Sequence, residues 1–203
     1  GKPLKREVAE KIRFLEEKKN MNIKVCLASG KNISYLLGLA RGIGLEKPLV
    51  IGENGCVFFD AERMVDVTVT PKTEELSQLQ NEIQKKFRFV VWFQPNKIAL
   101  TIVFKNPIFR TRVTQAIKEF INKPPVKKLR LYEHTDSVDV LPEEANKGKA
   151  LIRYIKNISI SRGEIIAIGD SENDIPLLEI ANIKIVIGKS LGLKNEHVFG
   201  TIH

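Results

Sequence analysis

The residues best suited to chemistry form the run Gly169-Asp170-Ser171-Glu172-Asn173-Asp174, which follows the apolar stretch Ile165-Ile166-Ala167-Ile168 and precedes Pro176-Leu177-Leu178. A continuous apolar run that stops at a glycine predicts a buried parallel strand, and a helix is expected after the polar residues. Ligands of open α/β sheets gather at such carboxyl ends. Asp170, Asn173 and Asp174 present hard oxygen donors of the kind Mg²⁺ prefers. The plainer reading of the same residues is that Asp170 or Ser171 caps the helix.

Two further strand-to-helix turns carry reactive side chains. Ile23-Lys24-Val25-Cys26-Leu27-Ala28 predicts a strand that ends in Ser29-Gly30-Lys31-Asn32, ahead of a helix through Tyr35, Leu36, Leu39 and Ala40. A hydroxyl and a glycine N–H at a helix start suit a phosphate, although Ser29 serves equally well as an ordinary N-cap. Asn146-Lys147-Gly148-Lys149 opens another helix. Cations there oppose the helix dipole, so either an anion lies nearby or both lysines are solvated. Gly42 and Gly44 follow a helix and not a strand, which disfavours a dinucleotide or Walker-type loop.

The elements that must position these residues divide the 203-residue chain in three. Residues 1–55 read as the first part of an α/β core and residues 140–203 as its second part. The opening helix carries Leu4, Val8, Ile12 and Leu15 at helical spacing, and a turn is expected at Asn20-Met21-Asn22. Between the core segments, residues 56–139 read as an inserted α+β unit. It is expected to hold a hairpin around Asp60-Ala61-Glu62-Arg63, helices over 72–86 and 108–121, and strands near 89–93, 98–104, 129–132 and 137–141. Trp92 and Phe93 are expected in the core of that sheet.

The composition is that of an ordinary soluble protein, with 43% hydrophobic and 28% charged residues. No apolar run reaches the roughly 20 residues needed to cross a bilayer, and no signal peptide is visible. A cytoplasmic location follows from that reading. Cys26 and Cys56 lie in apolar runs as small core residues. The net charge of +9 is spread over amphipathic helices, so neither nucleic acid nor membrane is the expected partner, and a homodimer is compatible with the sequence. The histidines His134, His197 and His203 have no ligand spacing. Which of Trp92, Arg110, Arg112, Lys127 or His134 faces the site cannot be read from spacing.

The order Leu27-Ala28-Ser29-Gly30-Lys31, then Asn146-Lys147-Gly148, then Gly169-Asp170-Ser171-Glu172-Asn173-Asp174 closely resembles the haloacid dehalogenase superfamily of phosphatases. The subgroup is the one with a cap inserted after the second motif, as in sugar-phosphate phosphatases and archaeal phosphoglycolate phosphatases, and Gly52-Glu53-Asn54-Gly55 resembles its hinge into the cap. The resemblance implies a Rossmann-like parallel sheet with an α+β cap. It also implies a Mg²⁺-dependent phosphomonoesterase working through an aspartyl-phosphate, with 2-phosphoglycolate as the favoured small metabolite. Lys147, Ser29, Gly30 and Asn173 would hold the phosphate, Lys147 and Ser29 being the catalytic pair. Asp170 would ligate Mg²⁺ directly, and Asp174 would complete the metal side, through bound water. The family's Asp-X-Asp pair precedes the first helix, whereas the first aspartate here is Asp60, so the nucleophile is expected upstream of Gly1 in a longer phosphatase. The competing readings are a sugar-phosphate phosphatase and a non-catalytic relative that binds a phospho-ligand or a partner protein.

Overall fold

The computed structural model describes residues 5–18, 23–124, 126, 129–158 and 165–200. Leu4, the turn at 20–22, Lys127 and His203 lie outside them.

Helix α1 (Arg6–Glu17) precedes strand β1 (Cys26–Ala28), helix α2 (Ile33–Ile43) and strand β2 (Leu49–Gly52). Asn32 Oδ1 accepts the N–H of Tyr35 at 2.8 Å and so caps α2, while Gly44 ends it in the left-handed conformation that a residue without Cβ adopts freely. β1 pairs parallel with β2, and β2 continues antiparallel into β3 (Val57–Asp60) and β4 (Val65–Thr68). The hairpin expected at the start of the inserted unit therefore extends the core sheet. The local pattern predicts a hairpin correctly but carries no information about which sheet it joins.

The inserted unit builds a separate antiparallel sheet in the order β5-β6-β8-β7. Its strands are β5 (Val91–Phe93), β6 (Leu100–Phe104), β7 (Leu129–Glu133) and β8 (Ser137–Pro142), with α3 (Glu74–Phe87) and α4 (Arg110–Ile121) packed against it. β8 runs to Pro142, past the expected boundary at 139. Leu76, Leu79, Ile83, Ile102, Ile117 and Val140 form its apolar centre. Phe93 packs against that centre, but Trp92 points outward at 50% exposure, because alternate residues of a strand face opposite sides.

The chain returns through α5 (Lys147–Ile158), β9 (Ile166–Gly169), α6 (Ile175–Ile180), β10 (Ile183–Ile187) and β11 (Glu196–Phe199). β9, β10 and β11 form a parallel three-stranded sheet. Leu49, Ile51, Phe58, Tyr154, Leu178 and Val186 share one core, so both parallel sheets close on the same layer of helices. Ala28 at the end of β1 and Ile165 beside β9 pack against that core too. Among the described residues, β1 pairs only with β2 and β9 only with β10. Each strand therefore has one edge without a partner among the described residues. Ile166 and Ile168 of β9 are each 61% exposed, far from what a covered parallel strand shows.

Candidate active site

Three strand-to-helix turns converge on one cavity of about 1130 Å³. Ser29 and Gly30 line it from the end of β1, Lys147 from the start of α5, and Asp170, Asn173 and Asp174 from the end of β9. All six residues expected at the site are thus brought together, which sequence spacing alone could not establish for turns 23 to 145 positions apart.

The first turn is fixed by its backbone. Ser29 N–H donates to Ile51 O at 2.9 Å, Asn54 N–H to Ser29 O at 3.0 Å, and Glu53 N–H to Lys31 O at 2.9 Å. These bonds zip residues 29–31 to the turn that follows β2. Because Asn32 caps α2, Ser29 is not needed as the N-cap. Among the described residues its hydroxyl accepts only the Lys31 N–H, at 3.3 Å, and it stays at the cavity wall.

Lys147 is 4% exposed. Its ammonium donates to Asp174 Oδ1 at 2.6 Å, a buried ion pair that joins α5 to the turn after β9. A charge buried this deeply requires such a partner. Asp174 Oδ2 accepts the N–H groups of Asp170 at 3.0 Å and Ser171 at 3.3 Å. Burial pushes the Asp174 carboxyl up, but the Lys147 charge and these hydrogen bonds outweigh it and hold the group below the usual carboxylate range. Close backbone approach makes the junction possible. A Cβ on Gly148 would fall 2.1 Å from Pro176 O, and one on Gly169 would fall 2.6 Å from Asp174 Cβ.

The capping reading of the last turn is realised. Ser171 and Asp174 form a reciprocal capping box, while Asp170 remains exposed at the cavity. Among the described residues the Asp170 carboxylate has neither a hydrogen bond nor an ion pair, whereas both Asp174 oxygens already have protein donors. No group of three or more His, Cys, Asp or Glu side chains among those residues forms a metal cage. One open carboxylate at this cavity fits Mg²⁺, which is commonly held by one or two carboxylates, waters and substrate phosphate. Asp170 is that carboxylate. Asp174 beside it holds the Lys147 ammonium and the N–H groups of Asp170 and Ser171.

Asp139 and Thr101, which the sequence reading did not single out, join Asn54 and His134 in tying the inserted sheet to this site. Asp139 of β8 is 5% exposed. Its Oδ1 accepts Thr101 Oγ1 at 2.6 Å, and its Oδ2 accepts Asn54 Nδ2 at 3.1 Å and lies 3.3 Å from His134 Nε2. Asn54 Oδ1 in turn accepts Asn173 Nδ2 at 3.1 Å. The sequence carried no such signal, because alternation sets Asp139 on the face opposite the core residues Val138 and Val140, and it is buried only because this strand is covered on both faces.

Glu53, Asn54 and Gly55 all have positive φ, at 53°, 55° and 96°. Strain of this kind persists only where surroundings enforce it. Here Glu53, 1% exposed, accepts the N–H groups of Lys97, Ile98 and Ala99 at 2.7, 2.8 and 2.9 Å, clasping the cap loop before β6.

A core with parallel ladders, three strand-to-helix turns that converge on one cavity and an inserted α+β unit define a class. The profile of the haloacid dehalogenase-like hydrolases matches residues 5–130 and 94–192, and the chain belongs to that family. Among its relatives, the phosphoglycolate phosphatase of Methanopyrus kandleri is 24% identical over 175 residues, covering 85% of this chain and 72% of that protein. The phosphoglycolate phosphatase of Staphylothermus marinus is 26% identical over 190 residues, covering 91% and 76%. A haloacid dehalogenase-like hydrolase from Bacteroides thetaiotaomicron superposes with a TM-score of 0.71 at 17% identity, over 95% of this chain and 81% of that one. The sucrose-phosphatase of Synechocystis sp. PCC6803, solved with sucrose and phosphate, gives 0.66 at 16% identity, over 97% and 86%. The described helices include none long and apolar enough to cross a membrane.

Proposed function

We propose that this protein is a Mg²⁺-dependent phosphatase acting on the monoester of a small metabolite, with 2-phosphoglycolate as the favoured substrate. The observation that carries the reading is the convergence of Ser29, Lys147 and Asp170 on one cavity. Phosphoryl transfer asks the protein mainly for positioning and for charges that meet those of the transferring group. The Lys147 ammonium faces the phosphate oxygens, held in place by Asp174. The Ser29 hydroxyl and Gly30 N–H donate to the same group from the opposite turn. Asn173, steadied by Asn54, donates from the third. Asp170 would hold Mg²⁺, which supplies further neutralisation of phosphate charge.

The attacking carboxylate that this reading needs would sit on a strand able to pair with the free edges of β1 and β9 and ending near Ser29, Lys147 and Asp170. The two names quoted from Methanopyrus and Staphylothermus support the substrate assignment.

The test is phosphate release by the full-length protein from a panel containing 2-phosphoglycolate, glycerol phosphate and hexose phosphates, with Mg²⁺ and with EDTA. Release that requires Mg²⁺ and is lost in Asp170→Asn is expected. Absence of release from every member, with an Asp-X-Asp pair present, would overturn the reading.

A further inference from the structure

The cavity has a second wall, built by the cap, that the phosphate site does not use. His134 and Asp136 of the β7–β8 turn line it together with Arg110 at the start of α4, and Lys31 of the core faces the same space. His134 is oriented from behind. Its Nε2 meets Asp139, and its N–H donates to Ser137 O at 2.9 Å, closing the turn. Asp139 is already satisfied by Thr101 and Asn54, so the imidazole is held by a rigid, buried carboxylate while 41% of its side-chain surface stays open.

Charge on this wall is unequally committed. Glu133 is taken by the Lys118 ammonium at 2.6 Å, and its contact with Arg110 is a distant 3.8 Å. Asp139 is buried and fully partnered, and Asp136 accepts the Ser137 hydroxyl at 3.1 Å. Lys31 forms no ion pair among the described residues. The side chains with donors left over are therefore Lys31, Arg110 and His134, two permanent cations and one imidazole that a neighbouring carboxylate encourages to charge.

We propose that His134, Arg110 and Lys31 form a second anion subsite that receives a carboxylate on the leaving-group part of the substrate. The assignment rests on the phosphatase reading and sharpens it to phosphomonoesters of small hydroxy acids, against neutral sugar phosphates. A guanidinium and an imidazolium give charge-assisted bonds to a carboxylate that a sugar hydroxyl matches only weakly. His134 positions the group, and Asp139 keeps its ring turned to it. The groups facing the imidazole are Asp139, Asp136, Glu133, Arg110 and Lys31. The hydrogen bond with Asp139 leads in raising its pKa above the ordinary 6.5, with burial and Lys31 opposing. The protonated form is accordingly present below that raised value and lost as pH rises through it.

The test uses the full-length protein and two non-hydrolysable ligands that differ in one carboxylate, 3-phosphonopropionate and propylphosphonate, titrated calorimetrically from about pH 6 to about pH 9. The wild type is expected to prefer the acid about tenfold, the value of one charge-assisted bond, and to lose part of that preference as pH rises. His134→Gln should remove most of the preference and its pH dependence while binding propylphosphonate within about twofold of wild type. Arg110→Met serves as a second variant should the first fold poorly. Equal affinity of the wild type for both ligands, or equal weakening of both by each variant, overturns the subsite. Phosphate release separates the two readings. Acid preference without hydrolysis of any monoester leaves the subsite standing and removes the phosphatase. Equal kcat/KM on 2-phosphoglycolate and glycerol phosphate does the reverse.

Discussion

Asp174→Asn, paired with Lys147→Met, probes the junction on which the site depends. The wild-type pair is buried at 2.6 Å, with 4% and 6% of the two residues exposed. Removing one partner of a buried pair leaves an uncompensated charge, at about 3–5 kcal/mol. For Asp174→Asn the stranded charge is the ammonium, and the amide must also present an oxygen to two N–H groups that a carboxylate met more strongly. Against a total domain stability of about 5–15 kcal/mol, each single variant should shift the urea midpoint visibly without a change in slope. Removing both charges together strands neither, so the double variant should be less destabilised than the sum of the singles by at least about 2 kcal/mol. The acid limb supplies an independent check. Asp174 has a lowered folded-state pKa, so its contribution is fully present above the unfolded carboxyl value near 3.8 and is lost as pH falls through the folded one. The stability difference between wild type and Asp174→Asn should therefore shrink below about pH 4. Additive singles, or a difference that stays constant with acid, would refute the view that this ion pair holds the phosphate-facing cation.

Glu53→Gln should lower the melting temperature by the equivalent of about 2 kcal/mol, because its NH₂ replaces one carboxylate oxygen and leaves at least one of the three N–H groups facing a donor, and a change within about 0.5 kcal/mol would remove the clasp from the account. Gly55→Ala should destabilise by more than about 2 kcal/mol, since the residue has φ 96° and its Cβ would lie 2.2 Å from the Asn146 carbonyl. As that carbonyl precedes Lys147, phosphate release should fall along with stability, and normal turnover in a folded Gly55→Ala protein would contradict this. Asp170→Asn should abolish Mg²⁺-dependent release while leaving the urea midpoint within about 0.5 kcal/mol, because the side chain is exposed and bonds nothing among the described residues.

The three turns were legible because each joins an apolar run to a small or charged residue at a helix start, a pattern that local sterics and capping impose. Helices 74–87 and 110–121 were legible for the same local reason. What the sequence hid was partnership. Nothing in Val57–Thr68 says that its hairpin joins β2, since strand pairing is decided by residues far along the chain. Glu196–Phe199, a short strand of mixed polarity, pairs parallel with β10 and gave no periodic signal. Asp174 was readable as an acid beside a phosphate, but its role as the counter-charge of Lys147 depends on a backbone contact between Gly148 and Pro176. His134 carries no ligand spacing because its partner, Asp139, sits across a hairpin turn.

Asn54 gives one carboxamide to two elements, donating to Asp139 of the cap sheet and accepting from Asn173 of the core. Any displacement that carries β8 away from β9 must rupture one of these two bonds. Such a displacement would either free Asn54 from Asp139 or release the Asn173 side chain that it steadies. The carboxamide thus makes the order of the last turn depend on where a strand of another sheet sits.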